Sequence, residues 1–232
     1  MSQTVTTVLQ IINKILVRLR ESEVGTVDET DFSSTLLRLI NDAKREVEDA
    51  FDWVALQTTV TVSTVAGTQT YAVENAGAGA FTNQRSRLLD VYNTTTDVRL
   101  TPRPFEWIRI QTQANNEDQQ EPFAYAHAGY NNTQSMNIRF FLVPDAVYDM
   151  DVEVIIPEED MTTETDYTKV PWYPVYLKAL ALAIRERGED EGEASSEIQM
   201  AYQQALGDAV AFEQRHKWQA QGGGDWIVLG DY

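Results

Sequence analysis

Arg45-Glu46-Val47-Glu48-Asp49-Ala50-Phe51-Asp52-Trp53-Val54-Ala55-Leu56 runs directly into Gln57-Thr58-Thr59-Val60-Thr61-Val62, and then into Ala66-Gly67-Thr68-Gln69-Thr70-Tyr71-Ala72-Val73. Up to Leu56 the apolar residues keep helical spacing, with Leu36, Leu39, Ile40, Ala43, Val47, Ala50, Phe51 and Val54 on one stripe. After Leu56 they alternate as Thr58, Val60 and Val62, so the period drops to that of a strand within about one turn. Gly67 lies between two threonine-rich, β-branched runs and marks the turn of a β-hairpin whose second strand carries Tyr71 and Val73. The stretch therefore predicts a helix that ends on an aromatic anchor, Trp53, and becomes a strand.

Upstream, Val5, Val8, Leu9, Ile12, Leu16 and Leu19 predict a first helix over Thr4 to Glu21, and Ile11 and Ile15 widen its stripe enough to touch two neighbours. Gly25 closes it. Thr30 or Asp31 caps the second helix, whose outer face carries Arg38, Asp42, Arg45, Glu48 and Asp49. Downstream the signals are those of strands and loops. Leu88 to Tyr92 and Val98 to Leu100 flank a polar turn and read as another hairpin. Pro104 opens a short helix, Ile138 to Val143 form a compact apolar run, and Met150, Val152, Val154 and Ile156 alternate with Asp151 and Glu153 as in a strand with one wet face.

Past Pro157, the run Glu158-Glu159-Asp160 reads as a solvated linker into two further helices. The first opens at Val170-Pro171-Trp172-Tyr173 and carries Tyr176, Leu177, Leu180 and Ile184. The second carries Ile198, Tyr202, Leu206, Ala209 and Phe212. The acidic run Glu189-Asp190-Glu191 between them sits at the second helix's positive end. The expected fold is α+β: an antiparallel bundle of about four helices from the two ends of the chain, with an inserted antiparallel β-domain and a flexible C-terminal tail. Residues 1–56 and 157–218 make the bundle, 57–156 the β-rich domain with its short helix near 104–113, and 219–232 a tether and tail.

Composition narrows the function. Asp and Glu number 36 against 18 Lys and Arg, a formal charge of −18, and the basic residues are scattered, which opposes a groove built to grip phosphate. Cysteine is absent, which removes disulfides, thiolate catalysis and cysteine-held metals. No window approaches a membrane helix, so a protein made in the cytoplasm is expected. The two histidines, His127 and His216, have no ligand set or triad around them. No nucleophile elbow or phosphate loop occurs, and the acidic pairs read as solvated charge rather than as a glycosidase pair. No catalytic residue, metal or cofactor is expected.

The aromatic residues Phe51, Trp53, Tyr71, Trp107 and Trp172 are expected at the junction of bundle and sheet. The chain closes on Gly222-Gly223-Gly224, a flexible tether, followed by Asp225-Trp226-Ile227-Val228-Leu229-Gly230-Asp231-Tyr232. Trp226, Ile227, Val228, Leu229 and Tyr232 have no evident place in the chain's own core, and their expected use is to dock on another chain.

Taken in order, Phe51-Asp52-Trp53, Ala66-Gly67-Thr68-Gln69-Thr70-Tyr71, Leu100-Thr101-Pro102-Arg103-Pro104-Phe105-Glu106-Trp107, Phe141-Leu142-Val143-Pro144 and Val170-Pro171-Trp172-Tyr173 resemble the head-to-tail adaptor proteins of tailed bacteriophages, of the tail tubular protein A type. The resemblance covers roughly Leu36 to Gly188. It implies a structural virion protein and not an enzyme, found in the neck between capsid and tail. Such proteins form a ring, usually twelve-fold, that binds the portal protein above and a downstream tail or nozzle protein below. DNA passes through the lumen without specific binding, and no membrane is involved. The C-terminal segment is then expected to reach the portal, and an acidic lumen would repel DNA from its wall. The competing expectations are a carbohydrate- or receptor-binding tail module, a carboxylate-dependent hydrolase, and another neck component such as a stopper or tail-completion protein.

Overall fold

The computed structural model describes residues 5–75, 80–114, 118–188 and 193–221. Among these the chain is α+β, with helices α1 (Val8–Arg18), α2 (Asp31–Ala50), α3 (Phe105–Ala114), α4 (Trp172–Arg187) and α5 (Glu193–Gln221) and two antiparallel-rich sheets. It divides into two units, Met1–Ala55 with Glu158–Tyr232, and Leu56–Pro157.

In the first unit, Thr7 opens α1 with a capping box: its Oγ1 accepts from the Gln10 N–H at 3.4 Å, and the Gln10 side chain accepts from the Thr7 N–H at 3.2 Å. The helix is shorter than its apolar stripe suggests, because Arg20 turns to φ +60°. Thr30 caps α2 through the Ser33 N–H at 3.0 Å. This helix stops at Ala50, not at Leu56. Phe51 is extended, and Trp53 folds back so that its Nε1 donates to the Val47 carbonyl at 2.7 Å. The indole thereby satisfies one of the carbonyls that a helix end leaves open. It is 2% exposed and lies edge-on to Phe51.

Helix α4 packs against α1, α2 and α5. Its sequence is accordingly apolar or small on most sides, with Val175, Leu177, Ala179, Leu180, Ala181 and Ala183 buried. Gly188 ends it in the left-handed region, its N–H bonded to Ile184 O at 3.2 Å. Lys178 of α4 lies over the Tyr202 ring of α5, and the connection between the helices is short, so they run antiparallel and Trp172 is level with about Asp208. Beyond that level α5 has no α4 beside it. Phe212, on the apolar spacing of α5, is 62% exposed.

The second unit holds β1 (Gln57–Ser63), β2 (Thr70–Ala72), β3 (Glu74–Asn75), β4 (Ala80–Phe81), β5 (Arg87–Asn93), β6 (Val98–Arg99), β7 (Thr101–Pro102), β8 (Ala124–Tyr130), β9 (Met136–Phe141) and β10 (Asp149–Ile155). One sheet has the order β1-β10-β5-β6 and the other β2-β9-β8-β7, while β3 and β4 pair with each other. Alternation along β10 turns Met150, Val152 and Val154 inward, where they meet Val60, Val62 and Val91 of the same sheet and Tyr125, Ile138 and Phe140 of the other. The opposite face of the second sheet is covered by α3. Phe140 and Phe141 thus serve two different cores, and the small residues Ala124 and Ala126 leave room for Ile108 and Trp107.

The hairpin expected around Gly67 does not exist. β1 pairs with β10, from Gln57↔Ile155 to Ser63↔Asp149, and β2 pairs with β9. Gly67, at φ +79°, lies instead in a crossing between sheets, its N–H bonded to Pro144 O at 2.8 Å. The Tyr71 hydroxyl fastens this crossing by accepting from the Val65 N–H at 2.9 Å and donating to Thr68 O at 2.7 Å. The second hairpin is present, with β5 and β6 paired at Tyr92↔Arg99 and Asn93↔Val98.

Removing the indole donor while keeping an aromatic ring tests the α2 terminus. Trp53→Phe should lower unfolding stability by about 1–3 kcal/mol, read by chemical denaturation of the full chain. An unchanged midpoint would mean that the Val47 carbonyl finds water in its place.

Candidate functional site

Four side chains on consecutive turns of α2 grip the chain where it re-enters the helical unit. Asn41 forms two bonds with Met161, accepting from its N–H at 2.9 Å and donating to its carbonyl at 3.0 Å. Lys44 Nζ donates to the carbonyls of Glu158, at 3.4 Å, and Glu159. Glu48 accepts from the Glu158 N–H at 3.3 Å and lies 3.7 Å from the Lys44 ammonium, and Arg45 pairs with Asp160. Lys44 is 0% and Glu48 1% exposed. Glu48 is therefore not part of a wet outer face, and the 158–160 run is not a freely solvated linker: the side chains of Glu159 and Asp160 are exposed, but the backbone is held. A charge so deeply buried persists only when paired and hydrogen-bonded.

A second polar contact joins three helices. Lys178 Nζ of α4 lies 2.9 and 2.8 Å from the two carboxylate oxygens of Glu46 on α2, and the Tyr202 hydroxyl of α5 donates to the same carboxylate at 3.0 Å. Burial, and then the neighbouring Glu46 charge, raise the Tyr202 pKa above its usual 10.0. Asp166 holds the approach to α1: its carbonyl accepts from the Val8 N–H at 2.7 Å, and bonds from the backbone N–H groups of Thr163 and Thr162 lower its carboxyl pKa.

The five aromatic residues read as a junction fall into both units, each engaged within its own. Phe51 and Trp53 close α2, and Trp172 opens α4. Tyr71 lies 5.6 Å from Phe140, and Trp107 is edge-on to Phe141 at 5.2 Å. Trp172 begins a ring cluster with Tyr173 and Tyr176 that spacing alone did not single out. Trp226, Ile227, Val228, Leu229 and Tyr232 lie outside the described residues, as does Glu189-Asp190-Glu191.

On the first sheet the alternation that buries Met150, Val152 and Val154 presents Asp149, Asp151 and Glu153 on the other face. Each accepts a hydrogen bond from β1, from Ser63, Thr61 and Gln57 respectively. Arg99 there is paired with Asp90 at 2.7 Å. His127 is exposed and meets the Tyr130 ring edge-on. Among the described residues no group of His, Cys, Asp or Glu is arranged to hold a metal ion, and no helix is long and apolar enough to cross a membrane.

Among the described residues the architecture thus offers helix contacts, a carboxylate-lined sheet face and exposed aromatic groups. The family model described as SU10 adaptor protein matches residues 6–224. This chain belongs to the SU10 adaptor protein family. It is a structural adaptor of the bacteriophage virion, made to contact other virion proteins. No curated protein matches the chain. The adaptor match takes in both units and ends at Gly224, so the segment from Asp225 onward lies beyond it.

The three-helix contact gives a pH prediction for this adaptor. A phenol whose folded pKa is raised contributes stability below pH 10.0, and that contribution is lost as pH rises through the folded value. Tyr202→Phe should cost about 1–2 kcal/mol at neutral pH and show a smaller further loss above pH 10.0 than the unmodified chain. Parallel alkaline curves for the two proteins would remove Tyr202 from the balance.

Proposed function

We propose that this protein is a head-to-tail adaptor of the tail tubular protein A type: a ring, usually twelve-fold in such proteins, that joins the portal to the tail and surrounds the DNA exit channel. The observation that carries the reading is the adaptor match over residues 6–224. The order of motifs from Phe51-Asp52-Trp53 to Val170-Pro171-Trp172-Tyr173 supports the same type. In this reading the helical unit supplies contacts between neighbouring subunits, and the β unit meets the downstream tail or nozzle protein. The segment with Trp226, Ile227, Val228, Leu229 and Tyr232 is the partner-binding arm.

Electrostatics supports passage of DNA rather than its capture. The formal charge is −18, and an acidic lumen wall repels a polyanion, which then slides without stopping. The protein works in the neck, without catalysis or cofactor.

Mixing the purified protein with the portal ring of its phage, followed by native mass spectrometry and electron microscopy, tests the proposal. One bound copy per portal subunit is expected. A protein that stays free beside an intact portal ring overturns it. Deleting 225–232 should abolish portal binding and leave folding intact, whereas unchanged affinity in the shortened chain would take the arm out of the interface.

A further inference from the structure

Lys14 and Arg18 stand one turn apart on α1, beside the first turn of α4. The Lys14 ammonium lies 3.9 Å from the Trp172 ring centroid. Trp172 is edge-on to Tyr173 at 5.7 Å, and Tyr173 stacks on Tyr176 at 6.2 Å. The positive charge of Arg18 acts on the Tyr176 phenol. Tyr173 is 50% exposed, and Val17, between the two cations in sequence, is 57% exposed. Among the described residues neither Lys14 nor Arg18 has a carboxylate within 4.0 Å, although the chain carries twice as many acids as bases. The first turn of α4 contains no acidic residue, and Pro171 before it supplies no side-chain cap, so the positive end of that helix adds to the same field.

A surface that is cationic, aromatic and partly apolar suits a segment with apolar residues between acidic ends. Asp225-Trp226-Ile227-Val228-Leu229-Gly230-Asp231-Tyr232 has that composition. We propose that this segment of one copy docks on the surface formed by Lys14, Arg18, Trp172, Tyr173 and Tyr176 of a second copy. Reach favours a second copy over the segment's own chain. Trp172 is level with about Asp208, and from there α5 continues for about 20 Å to Gln221. Trp226 follows five residues later, at most about 18 Å of extended chain. The Trp226 backbone therefore falls just short of its own copy of the surface, and only residues after it could turn back that far, so a neighbouring copy is the one that can receive Trp226 and Leu229 together. A neighbouring copy carries no such restriction. The inference rests on the adaptor reading only in taking 225–232 as a partner-binding arm, and it names the partner met before any portal is present.

The test uses the full chain alone, with mass followed against concentration by sedimentation equilibrium. The unmodified protein should self-associate. Lys14→Glu with Arg18→Glu, at exposed positions, and separately Trp226→Ala with Leu229→Ala, should each raise the dissociation constant by at least about tenfold. Tyr173→Ser, also at an exposed position, should weaken association in the same direction. Mixing the surface variant with the arm variant restores one intact surface and one intact arm, so a one-to-one pair should form where neither variant associates by itself. A monomer at every concentration, association untouched by these changes, or a mixture that forms no pair would overturn the proposal. Because no portal is present, this result is independent of whether the portal experiment succeeds.

Discussion

The buried ammonium of Lys44 is the constraint on which the arrangement of the helical unit depends. A lysine that is 0% exposed cannot stay charged unless its donors are satisfied, and its partners here are Glu48 and the carbonyls of Glu158 and Glu159. Two of these partners belong to a segment more than a hundred residues away in sequence. Removing one member of such a set leaves a buried charge uncompensated, at a cost of about 3–5 kcal/mol. The returning chain therefore has one favourable path along α2, and the two-point grip of Asn41 on Met161 fixes its register. The outgoing chain is anchored on the same helix, since the Trp53 indole donates to Val47. Within the helical unit, both the outgoing and the returning chain are thus held on the second half of α2.

This grip also explains what could and could not be read from the sequence. The helices were legible because their stripes repeat: Ile11, Ile12, Ile15 and Leu16 are buried as their spacing requires. So was the strand β10, where acid and apolar residues alternate from Asp149 to Val154 before Ile155 breaks the pattern. Lys44 and Glu48 were not legible, because a charged residue on an amphipathic helix carries no local sign that distant carbonyls will cover it. The end of α2 is hidden from the sequence for a related reason. Val54 continues the helical spacing, and only the turn of Trp53 back onto Val47 shows where the helix ends.

The missing hairpin at Gly67 is a failure of a different kind. Glycine between two β-branched runs predicts a turn, and a turn is present, but local pattern cannot tell whether the flanking strands pair with each other or with distant ones. Here β10, nearly a hundred residues later, takes the place beside β1. The Tyr71 hydroxyl and the bond from Gly67 to Pro144 then hold a crossing that carries the chain from one sheet to the other. In the candidate surface, Trp172 was visible as an aromatic residue before a helix. The neighbourhood of Lys14 was not, because it depends on α1 and α4 lying side by side.

Helix α5 connects this packing to what the adaptor presents to its surroundings. Up to about Asp208 it is held by α4 and by the Tyr202 bond to Glu46. Beyond that level, about 13 residues would form only a marginal helix if left without tertiary contacts. One such contact is on the helix itself: Glu213 accepts from the Val54 N–H at 2.9 Å. The acceptor thus binds the outgoing crossing just after Trp53, so the far part of α5 is tied to the same place where α2 ends. A change at Trp53 would then act in two directions, on the carbonyl of Val47 and on the support of α5. The far part of α5 thus depends on the termination of a helix much earlier in the chain, through the Val54–Glu213 bond.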